Sequence, residues 1–254
     1  MWRTVRWLLV AVATVYVLLC AALFFLQRRL IYFPQPRSAV NGGATLVLPV
    51  PGQRVLVSTR PAAGRNAVVY FGGNAEDVSL NMPDFSNAFP DRAIYLLHYR
   101  GYGESSGTPT EANLFADALT LFDEVHNGHP DVQVIGRSLG SGVALYVASR
   151  RPVARLVLVT PYDSLVDVAV SHFPWVPVRW LMRDRFESWK YAPRVNVPVL
   201  IVAAEHDEVV PRASTEMLLS RFRRGRASIV VLPGTGHNTI SDNPRYMGLL
   251  RESQ

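Results

Sequence analysis

Ser138 stands in Gly136-Arg137-Ser138-Leu139-Gly140, after an apolar run at 132–135 and ahead of a small-residue helical pattern at 141–149. A serine in a Gly-x-Ser-x-Gly turn between a strand and a helix has the setting of an activated nucleophile. Such a turn is too sharp for bulky flanking side chains, so Gly136 and Gly140 let the hydroxyl stand clear at the end of the sheet. The pattern alone is common; the strand before it and the helix after it give it weight. Ser138 is the candidate nucleophile.

A serine hydroxyl attacks a carbonyl only when a base takes its proton and a third group orients that base. Of six histidines, His237 lies in Gly234-Thr235-Gly236-His237-Asn238, just past the last strand-like run, where a flexible loop can deliver an imidazole to the sheet edge. His126 and His129 fall at a helix end and its loop, and His206 flanks an acid; His98, at a strand end, and His172 stay open. For the orienting acid the sequence points to Asp207, directly after the run at 199–204, with Glu205 and Glu208 as neighbouring rivals. The resulting order is Ser138, Asp207, His237.

Acyl transfer also needs N–H donors for the oxyanion that develops on the carbonyl. The backbone amide of Leu139, next to the nucleophile, is one candidate. The loop Gly72-Gly73-Asn74-Ala75 follows the run at 67–71, and the Asn74 amide is the second. Other chemistries find little support. Cys20 is the only cysteine and lies in an apolar segment, Lys190 is the only lysine and is remote from any serine motif, and no metal-ligand spacing, phosphate loop or dinucleotide fingerprint occurs. No metal and no cofactor are expected.

These residues need a scaffold. Apolar, β-branched runs at 45–48, 54–59, 67–71, 93–99, 132–135, 155–160, 199–204 and 228–232 read as eight strands. The later six are nearly continuous in hydrophobicity, as strands covered on both faces should be. Helical periodicity at 111–126 and 214–222 separates them. The expectation is an α/β fold with a mostly parallel eight-stranded sheet and helices on both faces. The aromatic-rich stretch 162–192, with Phe173, Trp175, Trp180, Phe186 and Trp189, is expected to form a small helical lid. Its aromatics either face substrate or pack between helices.

Residues 7–26 are twenty uncharged residues, bounded by Arg3 and Arg6 before and Arg28 and Arg29 after. A helix of that length crosses a bilayer core. An uncleaved signal anchor over 1–29 is expected; a cleaved signal peptide is the competing reading, although the apolar run exceeds the usual h-region. A juxtamembrane linker at 30–43 and a catalytic domain at 44–254 complete the expected organisation. The flanking arginines nearly balance, and the chain is read as single-pass with its catalytic domain outside the cytoplasm. Cys20 is read as a lipid-facing residue. The net charge of +6 comes from scattered arginines without interleaved aromatics, so nucleic acid is not expected as a partner.

Four motifs, in order along nearly the whole chain, carry a family likeness. They are Gln27-Arg28-Arg29-Leu30-Ile31-Tyr32-Phe33-Pro34, then Tyr70-Phe71-Gly72-Gly73-Asn74-Ala75, then the Tyr99 to Gly107 segment, then Phe173-Pro174-Trp175 with Arg183-Asp184-Arg185-Phe186. With the elbow, they make the chain resemble the α/β-hydrolases, and within them the small membrane-anchored serine hydrolases related to eukaryotic depalmitoylase-like enzymes. The resemblance implies hydrolysis of carboxylic esters or thioesters, with small-molecule or lipid acyl substrates. Relatives commonly carry histidine before the glycine of the oxyanion loop, where this chain has Gly72. A peptidase or amidase on the same scaffold, or a catalytically silent membrane scaffold, are the alternatives.

Overall fold

The computed structural model describes residues 2–38 and 44–251. Residues 39–43 of the expected linker and 252–254 of the expected catalytic domain lie outside the described residues. In chain order the elements are α1 (Trp2–Ile31), β1 (Ala44–Leu48), β2 (Val55–Arg60), β3 (Asn66–Phe71), α2 (Met82–Ala88), β4 (Ala93–Leu97), α3 (Glu111–Gly128) and β5 (Asp131–Arg137). They continue with α4 (Leu139–Ala148), β6 (Arg155–Val159), α5 (Leu165–His172), α6 (Val178–Leu181), β7 (Val199–Ala204), α7 (Arg212–Arg221), β8 (Ala227–Leu232) and α8 (Tyr246–Arg251).

The eight strands form one sheet in the order β1-β2-β4-β3-β5-β6-β7-β8. The β1/β2 and β2/β4 pairs are antiparallel, and all pairs from β4 onward are parallel. Side-chain alternation explains the continuous apolar runs. Val69, Phe71, Val132, Val134, Leu156 and Leu158 face one core with α3 and α4, while Val68, Tyr70, Ile135, Val157 and Val159 face another with α2 and α8. β8 departs from the expectation of full cover, since only Leu232 in it is buried. It is an edge strand and has a neighbour on one side only.

The connection from β3 runs through α2 to β4 on one side, and the next, from β4 through α3, crosses back to β5 on the other side of β3. The carboxyl ends of β3 and β5 therefore bound the crevice where open α/β sheets bind ligands. Phe71 at the end of β3 pairs in register with Gly136 of β5, which sets the loop after β3 beside the turn after β5. α3 is started by the Thr110 hydroxyl, which accepts from Asn113 N at 3.1 Å. Its Leu114, Ala118, Leu121, Phe122 and Val125 then bury one helical face. α4 is buried on nearly every side, which its small residues permit.

Among the described residues, α1 is the one helix long and apolar enough to cross a membrane. It runs past the uncharged stretch, through Arg28 and Arg29 to Ile31. Residues 32–38, expected as linker, are not free chain: Tyr32 is buried, and Phe33 N donates to Asn74 O at 3.0 Å. The segment between β6 and β7 carries α5, α6 and two short 3-10 turns, and Leu23 of α1 packs against its Val166, Val176 and Val178.

Candidate active site

Ser138 occupies the turn between β5 and α4 with φ +49° and ψ −118°. Positive φ in a non-glycine residue costs of order 1–3 kcal/mol and persists only where the surroundings enforce it. Here the enforcement is steric. A Cβ on Gly140 would sit 2.1 Å from the Phe71 carbonyl oxygen, and one on Gly136 would sit 2.3 Å from the Gly140 oxygen. The two glycines let β3, β5 and α4 meet closely enough to fix the turn. Ser138 N donates to Val159 O at 2.9 Å, tying it to β6 as well.

His237 follows β8 in a loop held by several hydrogen bonds. Thr235 Oγ1 donates to Leu232 O at 2.8 Å, Gly236 N to Thr239 Oγ1 at 2.9 Å, and His237 N to Glu208 Oε2 at 3.0 Å. Asp207 follows β7, and its Oδ1 accepts from Val209 N at 3.0 Å and Val210 N at 2.7 Å. These bonds turn the carboxylate inward. His237 Nδ1 lies 2.9 and 3.0 Å from the two Asp207 oxygens, and His237 Nε2 lies 2.8 Å from Ser138 Oγ. An ionised carboxylate only accepts, so Nδ1 carries the proton and Nε2 is free to accept the serine's. The His237 and Asp207 side chains are 6% and 8% exposed. The two rival acids have other duties: Glu205 Oε2 accepts from Gly234 N at 2.8 Å, and Glu208 holds the His237 backbone.

The other histidines stay outside this group. His98 is buried with Nε2 2.8 Å from Ser58 Oγ, and burial pushes its pKa down to about 4. His129 lies between Tyr95 OH and Gly64 O, and His206 is exposed. His172 Nε2 donates to Val209 O at 2.8 Å and borders the cavity described below.

Asn74 and Leu139 both border the cavity beside Ser138. Leu139 N opens α4, where helix amides have no intrahelical acceptor. Asn74 is held through its other polar groups: its carbonyl accepts from Phe33 N at 3.0 Å and Tyr102 OH at 2.5 Å, and its Nδ2 donates to Ile31 O at 3.0 Å. Gly73 N is occupied, donating to Glu76 Oε2 at 2.7 Å.

Glu76 escaped the sequence reading. Besides Gly73 N, its carboxylate accepts from Tyr70 OH at 2.7 Å and Asn81 Nδ2 at 2.6 Å, and it faces Arg137 at 3.5 Å. Burial and the neighbouring carboxylate keep the Tyr70 phenol well above its usual range, so it remains a donor. Arg137 also reaches His237 O at 3.4 Å and so spans the two loops. An acid three residues past Gly73 was the available signal, but sequence could not separate it from Asp77, which caps the next 3-10 turn. The Tyr99 to Gly107 segment supplies Tyr102 OH to Asn74 and Tyr99 OH to Gly72 O at 3.0 Å.

Ser138 opens onto a cavity of about 430 Å³. Leu165, Val168, Phe173, Val176, Val178 and Met182 line it from the segment between β6 and β7, and Leu23, Gln27, Leu30 and Ile31 line it from α1. Phe173 thus faces the cavity, whereas Trp175 and Trp180 turn outward at 53% and 89% exposure. Phe186 is fully buried, stacked edge-on to Phe115.

Comparison with known proteins agrees with this architecture. Residues 66–188 match the family model for the alpha/beta hydrolase fold. An uncharacterized protein of Mycobacterium tuberculosis is 36% identical over 232 residues, covering 84% of this chain and 80% of that protein. Lysophosphatidylserine lipase ABHD12 of Macaca fascicularis is 31% identical over 188 residues, 63% of this chain and 47% of that protein. Among solved structures, a Pyrococcus furiosus esterase superposes with a TM-score of 0.68 at 14% identity, covering 86% of this chain and 95% of its own. The sheet, the strand-turn-helix serine and these likenesses together define a hydrolase fold. The chain belongs to the α/β-hydrolase superfamily.

Proposed function

We propose that the chain is a single-pass membrane-anchored serine hydrolase that cleaves carboxylic esters or thioesters of small or lipid acyl substrates. The observation that carries this reading is the hydrogen-bonded series Ser138 Oγ, His237 Nε2, His237 Nδ1 and the Asp207 carboxylate. Ser138 Oγ attacks the acyl carbonyl while His237 Nε2 takes its proton, and Asp207 holds the ring and stabilises the imidazolium. The amides of Leu139 and Asn74 receive the oxyanion. His237 then protonates the departing alkoxide or thiolate, leaving an acyl-Ser138. Water gives a proton to His237, its hydroxide adds to the acyl carbon, and Ser138 leaves with the proton returned.

The acyl preference is supported by the cavity's predominantly aliphatic lining and by the lipase named among the relatives. In this reading residues 1–29 are the anchor, 44–254 the catalytic domain on the extracytoplasmic side, and 162–192 a lid. Hydrolysis of matched octanoyl ester, thioester and amide by the purified full-length chain in detergent, with Ser138→Ala beside it, tests the activity. Ester and thioester turnover abolished in Ser138→Ala is expected. Turnover of the amide alone, or ester turnover that survives Ser138→Ala, contradicts the reading.

A further inference from the structure

We infer that the last turns of α1, with Ile31, are a working part of the active site, walling the acyl cavity and pinning the oxyanion loop, rather than only a tether. This rests on the hydrolase reading above.

Leu23, Gln27, Leu30 and Ile31 recur at helical spacing and share one face, the face that borders the cavity onto which Ser138 opens. Phe25, on another face, is 77% exposed. The rotation of α1 about its axis is fixed by polar contacts. Gln27 Oε1 accepts from Arg183 N at 2.7 Å, and its Nε2 donates to Leu181 O at 3.1 Å. Arg28 Nε lies 2.9 Å from Asp184 Oδ2, a carboxylate only 6% exposed. A tether with no role in the site has no need of a buried partner in the segment that lines it.

Ile31 joins the two tasks. Its side chain lines the cavity, its carbonyl accepts from Asn74 Nδ2 at 3.0 Å, and two residues later Phe33 N donates to Asn74 O at 3.0 Å. The chain leaving α1 therefore grips, through side chain and carbonyl, the residue whose amide is assigned to the oxyanion. Farther along the helix, Tyr16 OH donates to Trp175 O at 2.9 Å. Fifteen residues of helix span about 22 Å, so the segment between β6 and β7 follows α1 well into the region that a bilayer would cover. An acyl chain held in the cavity lies against a helix of membrane-spanning length, and its source is the bilayer.

The test uses the full-length chain in lipid nanodiscs and p-nitrophenyl acetate, octanoate and palmitate, with fluorophosphonate labelling of Ser138 as the check that each variant is folded. In Leu23→Trp the ratio of octanoate to acetate kcat/KM is expected to fall at least tenfold, and the palmitate ratio further, while Phe25→Trp on the exposed face keeps the wild-type ratios. In Asn74→Ala, which keeps the backbone amide but loses the bond to Ile31, kcat is expected to fall about tenfold on all three esters with KM unchanged. A Leu23→Trp chain that labels normally and keeps the wild-type ratios, or loses acetate and octanoate turnover equally, overturns the wall. An Asn74→Ala chain with wild-type kcat overturns the pin. A wild type that neither labels nor turns over acetate overturns the hydrolase reading itself, and the wall and pin with it.

Discussion

The carboxylate of Glu76 accepts the backbone N–H of Gly73 at 2.7 Å and in doing so fills the space beside residue 72. A Cβ on Gly72 would lie 2.5 Å from Val78 Cγ1 and 3.2 Å from the Glu76 carboxyl carbon. A side chain at residue 72 has no room in this chain, and Glu76 holds the loop. Glu76→Gln places an amide donor among groups that are themselves donors. Because a donor to the oxyanion is worth roughly 10²–10³ in kcat, loosening the loop proposed to carry one is expected to lower kcat about 10–100-fold with little change in KM. Steady-state kinetics on one ester checks this; a change confined to KM contradicts it.

In the proposed mechanism Ser138, His237 and Asp207 act as a unit, so their losses do not add. Ser138→Ala, His237→Ala and the double variant are each expected to lower kcat to the same floor, about 10³–10⁶-fold down. Asp207→Asn is expected to cost about 10⁴-fold. Its carbonyl can keep the bonds to Val209 N and Val210 N, which turns the amide toward His237 and favours the wrong tautomer. Strictly multiplying losses in the double variant would show that the serine and histidine act independently.

The elbow glycines test the fold. Gly140→Ala puts a methyl group 2.1 Å from a backbone oxygen of β3, an overlap that no side-chain rotation relieves. It is expected to destabilise the chain by more than about 3 kcal/mol or prevent folding. Gly128→Ala, at the end of α3 with nothing within 4 Å, is the control and is expected to leave the unfolding temperature unchanged or raise it. Circular dichroism melting of both variants distinguishes the outcomes.

His98 supplies a pH dependence. Burial, reinforced by Arg37 and opposed by Asp77 and Glu104, lowers its pKa to about 4. The unfolded histidine titrates near 6.5, so between the two values the unfolded chain binds a proton that the folded chain refuses. This contribution is complete above about pH 6.5 and is lost as pH falls toward 4, by roughly 3 kcal/mol in full. Thermal unfolding at pH 7 and pH 4.5 is expected to show a smaller acid-induced drop in His98→Gln than in the wild type. Equal drops would mean that His98 does not govern this window.

Much of the scaffold was legible because its runs are unambiguous. All eight strands and helices α3 and α7 lie where apolar periodicity puts them, and the edge position of β8 is a matter of pairing order, which periodicity does not carry. The loop acids were harder. Position after β7 favours Asp207 but leaves Glu205 and Glu208 as near rivals, and what separates them is two backbone N–H groups that draw Asp207 inward. Nor does a run of apolar residues announce what its end touches. The length of α1 was plain, but the contacts of Gln27, Arg28 and Ile31 with residues 74 and 181–184 are long-range and leave no local trace. The aromatics at 173–180 divide between cavity and surface for the same reason.

The central claim is an activated serine at position 138, and covalent labelling tests it most directly. The purified chain, treated with a fluorophosphonate probe, is digested and its modified peptide identified by mass spectrometry. The account predicts one phosphonylated residue, Ser138, with labelling lost in His237→Ala although the hydroxyl remains. Labelling at another serine, or undiminished labelling of Ser138 in His237→Ala, would contradict it.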